Sequence, residues 1–180
     1  MFINILREYH QRCSTLSIIP TKWSIIISTK KQSLFLAKDN ILEKSYSVST
    51  STNPPSCIEN SYGTPNGLHF ACELIGENAE EGMVFKGRVP TGQKYWECSS
   101  EDQVKSLITT RIIRLKGLER DLNLGENHDT FDRYVYIHGT NHENKIGKPA
   151  SIGCIHLNNK EMLEIFEKTP INSHVYISLN

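Results

Sequence analysis

The chain has 180 residues, 38% of them hydrophobic and 22% charged, with 20 basic side chains against 20 acidic ones. That length fits one domain with a real apolar core. The charge balance lacks the basic surplus that nucleic-acid binding uses, and no apolar run approaches the roughly 20 residues that span a bilayer.

Residues 1–22 lack the basic start, apolar stretch and cleavage site of a secretory signal. They read as a leader or flexible N-terminal segment ahead of one domain over 23–178. Trp23 to Ser28 is β-branched and strand-like, Lys30-Lys31-Gln32 a turn, Ser33 to Ala37 a strand, Lys38-Asp39-Asn40 a turn, and Ile41 to Thr50 a third strand. This is a β-meander pattern. Residues 49–62, with Asn53-Pro54-Pro55, form a loop, since proline is excluded from central strands. Gly63-Thr64-Pro65-Asn66-Gly67 is a tight turn. Leu68 to Gly76 is a strand, Glu77 to Glu81 a loop, and Met83-Val84-Phe85 precedes a second loop over Gly87 to Gly92. Gln103 to Leu107 is ambiguous between helix and strand, and Ile108 to Leu115 is a buried strand. Gly117 to Arg133 is polar and loop-like. Tyr134 to Ile137 alternates as a strand does. Asn158-Asn159 caps a helix over Lys160 to Lys168, which Thr169-Pro170 stops. His174 to Ser178 is a closing strand. The sum is a mostly β fold with one or two short helices.

The chemistry concentrates in the last third. Tyr134-Val135-Tyr136-Ile137-His138-Gly139-Thr140 ends a strand on histidine and glycine, and Ser151-Ile152-Gly153-Cys154-Ile155-His156-Leu157 follows a polar loop. Cysteine is the strongest side-chain nucleophile, and histidine is the usual base that activates it. Gly153 lets the chain bend and leaves room for a substrate carbonyl. Backbone N–H groups around Gly153, Cys154 and Ile155 can then face a developing oxyanion. The five cysteines (Cys13, Cys57, Cys72, Cys98, Cys154) form no CxxC pair, so neither a zinc knuckle nor a thioredoxin-type motif is indicated. Arg114, Trp96, His69 and His142 are weaker candidates.

The pair Ile137-His138-Gly139-Thr140 and Ser151-Ile152-Gly153-Cys154-Ile155 resembles the catalytic signature of the L,D-transpeptidases, the YkuD-like family, with the resemblance running from about Trp23 to Ile177. The Gly63 to Gly67 loop and the closing strand fall in family order. The resemblance implies a β-sandwich-like catalytic fold that needs no cofactor or metal. It implies that Cys154 is the acylated nucleophile, His138 the base, and Gly139 the residue whose carbonyl steadies the imidazole. Ser151 and Gly153 would form the turn that presents the thiol, with the amides of Gly153 and Cys154 as oxyanion donors. His156, Arg111 and Tyr62 would contact substrate.

The implied reaction is attack on a peptidoglycan stem tetrapeptide, loss of D-alanine, and transfer of the acyl group to an amine of a second stem or a protein lysine. Carbapenem-type inhibitors would acylate the same thiol. Substrate logic points to the periplasm or cell envelope, although the absence of a clear signal leaves the cytoplasm open. The oligomeric state is unassigned. Two departures from the family pattern matter. Ile152 replaces a histidine, and His156 replaces an arginine that could hold a carboxylate bidentately. They motivate one alternative, a peptide-binding module without catalysis, and an L,D-carboxypeptidase or hydrolase on the same site is a second, differing only in the acceptor of the thioester.

Overall fold

Ile25-Ile26-Ile27 is a continuous β-branched run, which suits a strand only when both of its faces are covered. The computed structural model describes residues 1–180 and covers both. The elements are α1 (Phe2–Thr15), β1 (Trp23–Ser28), β2 (Ser33–Lys38), β3 (Ile41–Ser47), β4 (Gly67–Ile75), β5 (Met83–Lys86), β6 (Val89–Lys94), α2 (Ser100–Gln103), β7 (Ile108–Gly117), β8 (Tyr136–Thr140), β9 (Ile155–Leu157), α3 (Asn159–Lys168) and β10 (His174–Ser178). The sheet runs β3-β2-β1-β10-β4-β7-β5-β6, with β8 also paired to β7 and β9 paired to β8. No helix is long and apolar enough to cross a membrane.

One cluster of 18 buried residues draws on β1, β2, β4, β7, β8, β9, β10 and α3, so the sheet curls around a single core. Ile25 and Ile27 enter that core, whereas Ile26 joins a second cluster on the opposite face. A third cluster of Phe85, Ile112 and Tyr136 packs against Cys154. The fold is mostly β, as the sequence implies.

β7 organises the site. Its C-terminal half pairs with β4 and its first residues with β5, while β8 runs along its other edge. The switch of partner falls at Thr110, which has φ 68°, where the register with β8 slips between Thr109 and Ile112. Such a bulge bends a strand and re-aims its side chains.

Three expectations need correction. The first 22 residues are not simply a flexible segment. Residues 2–15 form α1, docked on the sheet through Ile5, Leu6, Tyr9 and Cys13. The expected loop over Gly87 to Gly92 lies largely in β6, and Pro90 is tolerated because β6 is an edge strand. The strand expected from Tyr134 begins at Tyr136, because Tyr134 has φ 55° and belongs to a turn.

Tyr9 anchors α1. Its ring is fully buried beside His174 and Tyr176, and its hydroxyl meets His174 Nδ1 at 2.9 Å. Tyr9→Ala is expected to cost about 3–5 kcal/mol in urea unfolding, as for other large buried rings. A cost under about 1 kcal/mol would mean that α1 is not held there.

Candidate active site

β8 and β9 pair in parallel, with Ile137 opposite Ile155 and His138 opposite His156. Ile137, Ile155 and Leu157 point into the main core, and Tyr136 points to the opposite side, against Cys154. Side chains alternate along strands, so His138, Cys154 and His156 share the face of Tyr136. His138 is then one diagonal step from Cys154, a spacing of about 7–8 Å that a long side chain can reach across.

The imidazole is held from behind. Nδ1 of His138 lies 2.6 Å from the Gly139 carbonyl. The carbonyl can only accept, so Nδ1 carries the proton and Nε2 is the basic nitrogen. Gly139 is needed for close approach: a Cβ there would lie 2.5 Å from Asn159 Oδ1 and 2.9 Å from the Thr109 carbonyl. Asn159 also binds Thr109 Oγ1 at 2.6 Å, the Thr140 carbonyl at 2.9 Å and Glu143 Oε1 at 2.8 Å, which ties α3 to the end of β8.

The turn before β9 presents the thiol. Ser151 Oγ donates to the Cys154 carbonyl at 2.6 Å and accepts the Gly153 N–H at 3.2 Å. Gly153 has φ 132°, a backbone state that disfavours any side chain. The Gly153 amide is thus engaged within the turn, whereas the Cys154 amide has no acceptor in the protein.

Cys154 is half-buried and borders both the third apolar cluster and a groove of about 370 Å³. Its sulfur contacts the Tyr134 carbonyl at 3.6 Å. Burial pushes the thiol up to about 11, opposed by the Tyr136 N–H and the Arg133 charge. Burial pushes His138 down to about 4, opposed by its bond to Gly139. At neutral pH the resting pair is therefore thiol and neutral imidazole.

Tyr62, Tyr134, Arg133, Ile152 and Gly153 also line the groove, with Glu59 and Asp132 at its acidic side. Tyr62 and Tyr134 have φ 56° and 55°. Such backbone states in larger residues cluster at functional sites. Ile152 is 73% exposed at the rim, so the histidine absent from this position would have stood at the edge of the groove.

Two expected contacts lie elsewhere. His156 is 4% exposed, with its ring 4.7 Å from that of His138, and does not line the groove. Arg111 lines a separate cavity with Phe166 and Glu167 and donates to the Glu77 and Thr110 carbonyls. The bulge at Thr110 turns it there. Arg133 and Tyr134, which the sequence places in a loop and at a strand start without a site role, flank the thiol. Their only sequence signal is their place just before the strand that carries His138. No cluster of three or more His, Cys, Asp or Glu side chains could hold a metal ion.

Residues 22–177 match the family model of the L,D-transpeptidase catalytic domain, YkuD. The Bacillus subtilis (strain 168) protein named "Putative L,D-transpeptidase YqjB" is 36% identical over 74 residues, covering 38% of this chain and 42% of that protein. An L,D-transpeptidase from Mycobacterium smegmatis superposes with TM-score 0.55 at 13% identity, over 87% of this chain and 58% of that one. L,D-transpeptidase 3 from Mycobacterium tuberculosis, solved with a faropenem-derived adduct, gives 0.53 at 13% identity, over 87% and 60%. The chain thus spans about three fifths of those solved chains and about two fifths of YqjB. At these identities the structural likeness establishes the fold.

His69, His138 and His156 are all buried and held neutral, His69 and His138 at about 4 and His156 at about 2. In the unfolded chain the same side chains take protons near pH 6.5. The unfolded state then binds more protons below that pH, so stability is full above it and lost as pH falls from about 6.5 toward 4. Urea midpoints between pH 8 and 4 are expected to be level above pH 7 and to drop below 6.5, with a shallower drop in His156→Gln. Level midpoints down to pH 4.5 would contradict the neutral burial of these rings.

Proposed function

We propose, for a chain that belongs to the YkuD family of L,D-transpeptidase catalytic domains, that it is a cysteine acyltransferase acting on peptidoglycan stem peptides. The observation that supports this reading is the shared face of His138 and Cys154, set by the β8–β9 register, at a groove lined by the thiol.

Cys154 Sγ attacks the carbonyl that precedes the terminal D-alanine of a stem tetrapeptide. Both partners start neutral, so the thiol proton passes to His138 Nε2 as the C–S bond forms. The Gly139 carbonyl stabilises the resulting imidazolium through Nδ1–H. The free Cys154 amide donates to the oxyanion. When the tetrahedral intermediate collapses, the imidazolium gives its proton to the departing amine of D-alanine and a thioester remains. An amine of a second stem, or of a protein lysine, then attacks the thioester and His138 takes that amine's proton; the C–S bond breaks as the amide forms, and the proton passes from His138 back to the departing Cys154 sulfur. Carbapenem-type β-lactams and the related penem faropenem are expected to acylate the same sulfur. The substrate places the activity in the cell envelope. Ile152 leaves the proposed base intact, because that role falls to His138 on the thiol's face and not to residue 152, which is exposed at the rim.

Cys154→Ala and His138→Ala are each expected to lower D-alanine release from a stem tetrapeptide, by at least 10² for the histidine, as for removal of other general bases. Mass analysis with and without an added acceptor amine separates transfer from hydrolysis. Cross-linked product should dominate when the amine is present. Full release by His138→Ala would remove that residue from the base role, and tripeptide alone as product would replace transferase by carboxypeptidase.

A further inference from the structure

Arg133 stands where three parts of the groove meet. Its guanidinium donates to the Ser56 carbonyl at 3.0 Å, the Gly63 carbonyl at 2.8 Å and Ser61 Oγ at 3.3 Å. These bonds fix the loop that forms the wall opposite Gly153: the Gly63 and Tyr62 carbonyls lie 3.6 and 3.8 Å from where a Cβ at position 153 would sit. The same arginine lines the groove beside Cys154. The next residue, Tyr134, offers its carbonyl to the sulfur. A planar five-donor fork can hold three acceptors at once, and lysine cannot copy that geometry.

We infer that Arg133 is a positioning residue of this site: its guanidinium pins the Tyr62–Gly63 wall against Gly153 and sets a permanent positive charge beside the Cys154 sulfur. This rests on the assignment of Cys154 as nucleophile. The other ionisable groups around the sulfur are Glu59, Asp132, Tyr62 and Tyr134 in the groove, Tyr136 and His138 from β8, the neutral His156 from β9, and Arg88, whose guanidinium donates to the far-end hydroxyl of Tyr136 at 3.1 Å. Glu59 and Asp132 are exposed and solvated, so their repulsion of a thiolate is screened more than the attraction of the half-buried guanidinium. The charge favours the thiolate and counters the burial that opposes it. It also favours the anionic intermediate that the thiolate forms. Neutral His138 supplies no such charge until it has taken the proton.

The test is the alkylation rate of Cys154, followed by peptide mapping across pH 7.5–10, which needs no cell-wall substrate. A protein without transpeptidase activity still reports the Arg133–Cys154 coupling, so failure of this inference and failure of the proposed function are distinguishable. Log rate against pH should rise with parallel slopes in the unsubstituted protein and in Arg133→Gln, with the variant displaced downward about tenfold, the effect of about one pKa unit on thiolate fraction. Arg133→Lys loses the three-acceptor fork but keeps the charge that sets the thiolate fraction, so its alkylation rate should stay within about threefold of the unsubstituted protein. Wild-type rates in Arg133→Gln, or an Arg133→Lys as slow as Arg133→Gln, would overturn the inference. A second measurement covers variants that fail to fold. In the unsubstituted protein the iodoacetate to iodoacetamide rate ratio at Cys154 should exceed that of a free thiol such as glutathione several-fold, because a nearby cation draws the anionic reagent. A ratio equal to or below glutathione's overturns it.

Discussion

A parallel ladder only three residue pairs long, between β8 and β9, fixes which side chains share a face. Ile137, Ile155 and Leu157 lock its inner side into the main core, and all three are fully buried. A slip of one residue would turn the inner side chains outward and send His138 and Cys154 to opposite faces. The apolar side of these strands thus enforces the chemical side. Gly139 completes the constraint, because only a residue without a Cβ lets β8 lie this close to Asn159 and Thr109.

The site carries little charge at rest. Burial holds the thiol protonated and the imidazole neutral, which avoids an ion pair in a partly desolvated place. Charge that develops in the proposed reaction would meet the free Cys154 amide and the Tyr136 N–H, with the positive charge of Arg133 in the same groove. His156, packed against His138, stays neutral as well and adds no competing cation. An arginine at that buried position would carry its charge against the proposed base, so the histidine is compatible with a neutral pocket.

Legibility in the sequence followed the strength of the local signal. The β1–β2–β3 meander, the Asn158 cap of α3 and the closing strand were readable because alternation, β-branching and capping act over a few residues. His138 and Cys154 stand out through the two family-like motifs that carry them, and the fold brings both to one face. In α1, Phe2, Ile5, Leu6, Tyr9 and Cys13 form a helical stripe, but Met1 makes no side-chain cap and the first turn holds no acidic residue, so the start of the helix carries no local signal. Arg111 was misplaced because both faces of β7 are covered and a bulge shifts its register, so alternation cannot say where the side chain goes. Arg133 carries no local signal because residues 117–133 have no periodicity, and Tyr134 reads as the first residue of a strand although its φ of 55° puts it in the turn beside the thiol. His69 and Asn123 fasten that stretch to the strands: His69 meets Thr130 Oγ1 at 3.1 Å and Asn123 donates to the Leu68 carbonyl at 3.1 Å. Those contacts span more than 50 residues of chain and leave no local mark.

The most direct measurement is intact-protein mass spectrometry after exposure to faropenem, with peptide mapping across the five cysteines. If Cys154 is the nucleophile that the β8–β9 register aligns with His138, a single adduct forms on Cys154 and its rate collapses in His138→Ala. An adduct on Cys13, Cys57, Cys72 or Cys98, or one on Cys154 that forms equally fast without the histidine, would contradict it.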